Sequence, residues 1–111
     1  LMSAWIYLTL AIVLEVAGTI SMKLSDGFTK LTPSIALGIF YILSITALTF
    51  ALKKIDVSMA YAIWAGIGTA LISIIGILYF KEPMNLLKVV GVVFIIVGVV
   101  ALHLSSGEKL S

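Results

Sequence analysis

Charged and turn-forming residues fall into short clusters along this chain, and four long apolar blocks run between them. The first block, 4–22, contains a single charge, Glu15, and closes at "KLSDGFTK", where Ser25, Asp26 and Gly27 are turn formers. The second, 31–52, has no charge and carries Pro33 in its first turn, where a missing N–H is harmless. "KKID" is a tight connection to the third block, 57–80, again uncharged, which ends at "KEPMN". The fourth, 84–104, holds only Lys88, close enough to its start for the ammonium to reach the headgroups. Each block has about the 20 residues a helix needs to cross a bilayer. The pattern predicts one all-α integral membrane domain over 1–111, with four transmembrane helices and a polar tail at 105–111.

Composition sharpens this picture. Of 111 residues, 62% are hydrophobic and 11% charged, where a soluble domain carries about 25% charged residues. There is no cysteine, so neither a disulfide framework nor a thiolate metal site can form. One histidine, His103, cannot make a zinc cluster, and no phosphate-binding glycine loop or nucleophilic triad is visible. No cofactor or metal is expected, and no enzyme, since Glu15 is the only acid or base in the expected hydrocarbon core. A net charge of +2 is too small to imply nucleic acid. The first block lacks a basic leader and is interrupted by a glutamate, which argues against a cleaved signal peptide. Met2 is the expected native start.

With four spans, the termini and the second loop share one side of the membrane, and the first and third loops the other. Lys53, Lys54 and Lys109 lie on the first side, and Lys23, Lys30, Lys81 and Lys88 on the second. Orientation follows lysine and arginine bias in short loops. Here the bias nearly vanishes, so either a weak preference wins or the chain inserts both ways up.

Glu15 lies 11 residues from the start of its block, which at about 1.5 Å per residue is roughly 16 Å deep, near the middle of the hydrocarbon layer. An acidic residue there costs about 2.5–3.5 kcal/mol on insertion scales, and intramembrane acids are functional by default. Its helical neighbours are Leu8, Ala11, Ile12, Gly18, Thr19 and Met22, of which Ala11, Gly18 and Thr19 are small. They leave either a cavity or a close helix contact. No lysine or arginine is available at matching depth, so the counter-charge must come from outside the chain. That points to protons and a cationic substrate.

Tyr41 is expected about as deep as Glu15, and Tyr61 and Trp64, three apart, share a face. Such rings attract cations through their faces, or they simply pack; Trp5, Tyr7, Tyr79 and Phe80, near span ends, read as interfacial residues. "WAGIGT" places Gly66 and Gly68 near mid-span, where a pair of small residues permits either a hinge or close packing. In the fourth block Gly91, Phe94, Ile95 and Gly98 form a stripe suited to helix association. Four helices can hardly enclose a solvated path lined by several aromatics, so a dimer is expected.

"EVAGTISMKLSDGFTKLTPS", "AYAIWAGIG" and "GVVFIIVGVV" together resemble the small multidrug resistance family of bacterial exporters, in order and with matching spacing over 2–105. The resemblance implies an antiparallel, dual-topology homodimer in the bacterial inner membrane that exchanges protons for lipophilic cations at the carboxylate matched by Glu15. It implies chamber residues at Leu8, Ala11, Ile12, Gly18, Thr19, Tyr41, Tyr61 and Trp64. It also implies a hinge at Gly66 and Gly68 and a dimer seam at Gly91, Phe94, Ile95 and Gly98. Guanidinium-exporting relatives place tryptophan where this chain has Gly18, so Gly18-Thr19 resembles the quaternary-ammonium branch. Ile45, Thr46 and Lys30 depart from common members and bear on the drug spectrum. Two alternatives accompany this reading: a guanidinium exporter, and a structural or proton-carrying membrane subunit.

Overall fold

The computed structural model describes residues 2–106; Leu1 and most of the expected tail, Lys109 included, lie outside the described residues. Four helices make up the fold: α1 (Met2–Leu24), α2 (Leu31–Ala51), α3 (Val57–Leu78) and α4 (Leu86–Ser106). All four are long and apolar enough to cross a membrane. At 1.5 Å per residue they measure about 32–35 Å, matching a hydrocarbon core of about 30 Å.

Helix ends agree with the expected spans to within two residues: α2 and α3 start where expected, and the shifts at the end of α1 and the start of α4 have local reasons. Lys23 does not stop α1, because a cation in the last turn complements the helix dipole. The reversal comes instead from Asp26, Gly27 and Phe28, all with positive φ. It is held by the buried Ser25, whose Oγ accepts the Phe28 N–H and whose carbonyl accepts the N–H groups of Thr29 and Lys30. α4 starts at Leu86, since the Asn85 side chain accepts the Lys88 N–H at 2.8 Å and caps the first turn. Ser105 and Ser106, expected in the tail, continue α4.

α1 is the hub. It packs most extensively along α2 and less so against α3, and α4 leans on α3. A polar clasp reinforces the α1–α2 contact: the Ser44 hydroxyl, fully buried, donates to the Ala11 carbonyl at 2.6 Å. Leu8, Ile12 and Val16 of α1 meet Ala60 and Ile63 of α3 and Val99 of α4 in the apolar core. The Cα envelope measures 45 × 35 × 17 Å. α1, α3 and α4 share the apolar core and α2 lies along α1, so the four helices form a flattened bundle, thin in one direction.

Candidate functional site

Glu15 is the fourteenth of the 23 residues of α1, about 20 Å of helical rise from one end and 14 Å from the other. One turn later, Thr19 Oγ1 donates to Glu15 Oε2 at 2.7 Å, and Thr19 in turn is 2.8 Å from the Tyr41 hydroxyl of α2. A hydroxyl has a single proton. While Thr19 donates to an ionised Glu15, Tyr41 must donate to Thr19. When Glu15 is protonated, its O–H can donate to Thr19 and the direction of the relay reverses. Both charge states are thus satisfied without moving a heavy atom.

Two glycines create room for this arrangement. A Cβ on Gly18 would sit 2.6 Å from Tyr41 ring carbons, so only glycine lets the ring lie flat on α1 and reach Thr19. A Cβ on Gly68 would sit 3.2 Å from Glu15 Oε1, so α3 offers bare backbone to the second carboxylate oxygen. Beside that oxygen opens a cavity of about 360 Å³, bounded by Glu15 and Thr19 of α1 and by Trp64, Ala65, Gly68, Thr69, Ile72 and Ser73 of α3. None of these lining residues is cationic. A carboxylate in this wall therefore has no counter-ion among them.

The structure divides the expected chamber residues. Glu15, Thr19 and Trp64 line the cavity, while Tyr41 and Gly18 join it through the hydroxyl relay and the close ring contact. Ala11 is wholly buried, with its carbonyl engaged by Ser44. Leu8 and Ile12 border a separate apolar groove of about 410 Å³ between α1, α3 and α4. Tyr61 is 60% exposed and does not line the cavity, and its ring meets that of Trp64, 5.5 Å between centroids. The Trp64 indole N–H is buried and meets no acceptor among the described residues; an unpaired buried donor costs about 1–3 kcal/mol.

Ala65, Thr69, Ile72 and Ser73 were not anticipated. A signal was present: Ala65, Thr69 and Ser73 recur every four residues, the spacing of one helix face. Thr69 donates to the Ala65 carbonyl and Ser73 to that of Thr69, so both hydroxyls are satisfied within α3. α3 runs unbroken through Gly66 and Gly68. A Cβ on Gly66 would lie 2.6 Å from Val99 Cγ2 and 3.3 Å from Ile95 Cγ2, so this glycine seats α4. On α4, Ile95 turns toward α3, whereas Gly91, Phe94 and Gly98 are exposed and both glycines have open space beside them.

Comparison with known proteins gives a consistent result. The family profile described as "Small Multidrug Resistance protein" matches residues 3–96. The membrane protein YvaE of Bacillus subtilis is 55% identical over 100 residues, covering 90% of this chain and 84% of YvaE. The multidrug resistance protein EbrB of the same organism is 46% identical over 107 residues, 96% of this chain and 92% of EbrB. The quaternary ammonium compound-resistance protein QacH of Staphylococcus saprophyticus is 39% identical over 99 residues, 89% of this chain and 92% of QacH.

Proposed function

From the premise that this chain belongs to the small multidrug resistance family, as a multi-pass protein of the bacterial inner membrane, we propose that it is a proton-coupled antiporter that exports lipophilic cations, quaternary ammonium compounds among them, by alternating access. The observation that carries the reading is the mid-span carboxylate of Glu15 in the wall of a cavity whose lining has no cationic residue. Burying such a charge without a partner is costly. A proton or a hydrophobic cation neutralises it, and the two compete for one place.

The surrounding groups fit that exchange. Thr19 donates to the Glu15 carboxylate and is itself hydrogen-bonded to Tyr41, and this relay reverses when a proton returns. Trp64 offers an aromatic wall, and a desolvated cation over such a face gains about 2 kcal/mol. Where guanidinium-exporting relatives are expected to carry tryptophan, Gly18 lies under the Tyr41 ring, which fills the space a larger side chain would need. That supports the quaternary-ammonium branch. In an antiparallel dimer each protomer contributes a Glu15 to a shared chamber, and two carboxylates so placed bind protons as a coupled pair.

The test is electrical recording from reconstituted protein under a pH gradient, with a tetra-alkylammonium ion and guanidinium as alternative substrates. Currents that depend on both the tetra-alkylammonium ion and the gradient are expected. Glu15→Gln should abolish substrate-coupled proton release and exchange while leaving the four-helix fold intact. Exchange that survives in this variant refutes the assignment, and a preference for guanidinium transfers the chain to the other branch.

A further inference from the structure

Glu15 is not the only carboxylate that lies against a glycine of α3. Glu82, in the α3–α4 connection, folds back so that its Oε1 occupies the position a Cβ of Gly76 would take, with Cδ 3.1 Å from that point. Its own N–H donates to the Gly76 carbonyl at 3.0 Å. The fold-back requires Lys81 to adopt φ 57°, left-handed backbone that an L-residue enters at a cost of about 1–2 kcal/mol. Strain of this kind collects where a side chain must be aimed. Gly68 and Gly76 are eight residues apart, two turns and about 12 Å of rise along one side of α3. α1 runs alongside in the same direction, presenting Glu15, Thr19 and Lys23 at four-residue intervals.

Two neighbouring cavities lie along the cleft that carries these two carboxylates. A second cavity of about 120 Å³, bounded by Thr19 and Lys23 of α1, Ile72 and Gly76 of α3, Phe80 and Glu82, adjoins the Glu15 cavity, and Thr19 and Ile72 line both. At about 30 Å³ per water, this volume is enough for a short hydrogen-bonded chain. The charged groups lining it are Lys23, whose ammonium lies 5.9 Å from the Phe80 ring centroid, and Glu82 itself. It lies where α1 and α3 end.

We propose that Glu82 is a second proton-handling carboxylate, the surface station through which Glu15 exchanges its proton with water along the α1–α3 cleft. This rests on Glu15 being the site of proton exchange. On release, the proton leaves the Glu15 carboxyl, passes through the Thr19 hydroxyl and cleft water to the Glu82 carboxylate, and goes on to bulk water. On uptake the same steps run backwards. Each transfer moves one proton between oxygens, and no other bond changes.

Stopped-flow measurement of proton release from the reconstituted protein, triggered by a tetra-alkylammonium ion, tests the idea. Glu82→Gln should slow release by at least about tenfold, because a positioned carboxyl commonly contributes that much or more to a proton transfer. The number of protons released and the equilibrium affinity should stay at wild-type values. Glu82→Asp should recover most of the rate, and Gly76→Ala, which displaces the carboxylate, should be slow like Glu82→Gln. Wild-type rates in Glu82→Gln overturn the proposal. So does a loss of affinity or folding in both Glu82→Gln and Gly76→Ala, which makes Glu82 structural. Absence of proton release from the wild-type protein removes the Glu15 reading and this one together, whereas Glu15→Gln silence with an unaltered Glu82→Gln removes this one alone.

Discussion

Gly18 shows how much of the site is decided by one missing carbon. The Tyr41 ring rests on α1 only because nothing projects from position 18, and from there its hydroxyl reaches Thr19. Gly18→Ala would bring a methyl group within 2.6 Å of ring carbons. The ring must then swing away, and the hydroxyl leaves Thr19. A lost hydrogen bond of this kind is worth about 1 kcal/mol, roughly fivefold in cation affinity. Tyr41→Phe should weaken tetra-alkylammonium binding by a similar factor, and the double variant should be no weaker than either single one. Fully additive losses, measured by titration calorimetry, would show that the glycine and the hydroxyl act separately. Depth and helical spacing put Thr19 on the face of Glu15 and Tyr61 on that of Trp64, but left cavity and packing contact open for each. A sequence gives the face that Tyr61 and Trp64 share but not how α3 is turned about its own axis. Trp64 borders the cavity, and Tyr61 stands largely exposed.

At the level of helices, Gly66 poses a choice between packing and hinging. Its bare Cα seats Val99 and Ile95 of α4, while α3 continues through it without a break. Alanine in a helix interior gains about 1 kcal/mol over glycine, but overpacking a tight contact costs about 1–3 kcal/mol. Gly66→Ala should therefore lower the stability of the solubilised protein by roughly 1 kcal/mol in thermal unfolding. Val99→Ala in the same chain should relieve the clash. If the double variant regains stability yet exchanges substrate slowly, the glycine serves as a hinge as well as a seat. Recovery of both properties leaves packing as its whole role. The four spans themselves were easy to read, since few charges interrupt them. Their ends were harder because capping acts through atoms: Lys23 looked like a stop and is helical, while Asn85, inside the expected fourth span, stays outside α4 and caps its first turn. Gly76 and Glu82 were invisible as a pair, because nothing in their order along the chain shows that the connection folds back onto α3.

For the molecule as a whole, the flattened bundle and the sparse burial of α4 bear on assembly. Only 6% of the span in α4 is buried, against 33% in α1. Lipid can cover an apolar helix, so exposure alone does not require a partner. The stronger argument comes from the site: the Glu15 cavity is lined by α1 and α3 alone, so a chamber that excludes lipid from an ionised Glu15 calls for a further wall. Near-equal lysine counts on the two loop sets leave either a weak preference or insertion both ways up, and the proposed antiparallel dimer needs the second. The chain has no cysteine, so a single introduced thiol reports orientation directly. Asp56 at the α2–α3 connection makes no side-chain cap, and Met84 in the α3–α4 connection is 65% exposed, so neither Asp56→Cys nor Met84→Cys removes a packed group or alters the lysine balance. In intact cells, an impermeant maleimide should label about half of each variant, with the remainder reacting after permeabilisation, because both loops face both sides in a mixed population. A fixed orientation would instead label one variant fully and spare the other, and the antiparallel dimer could not then form.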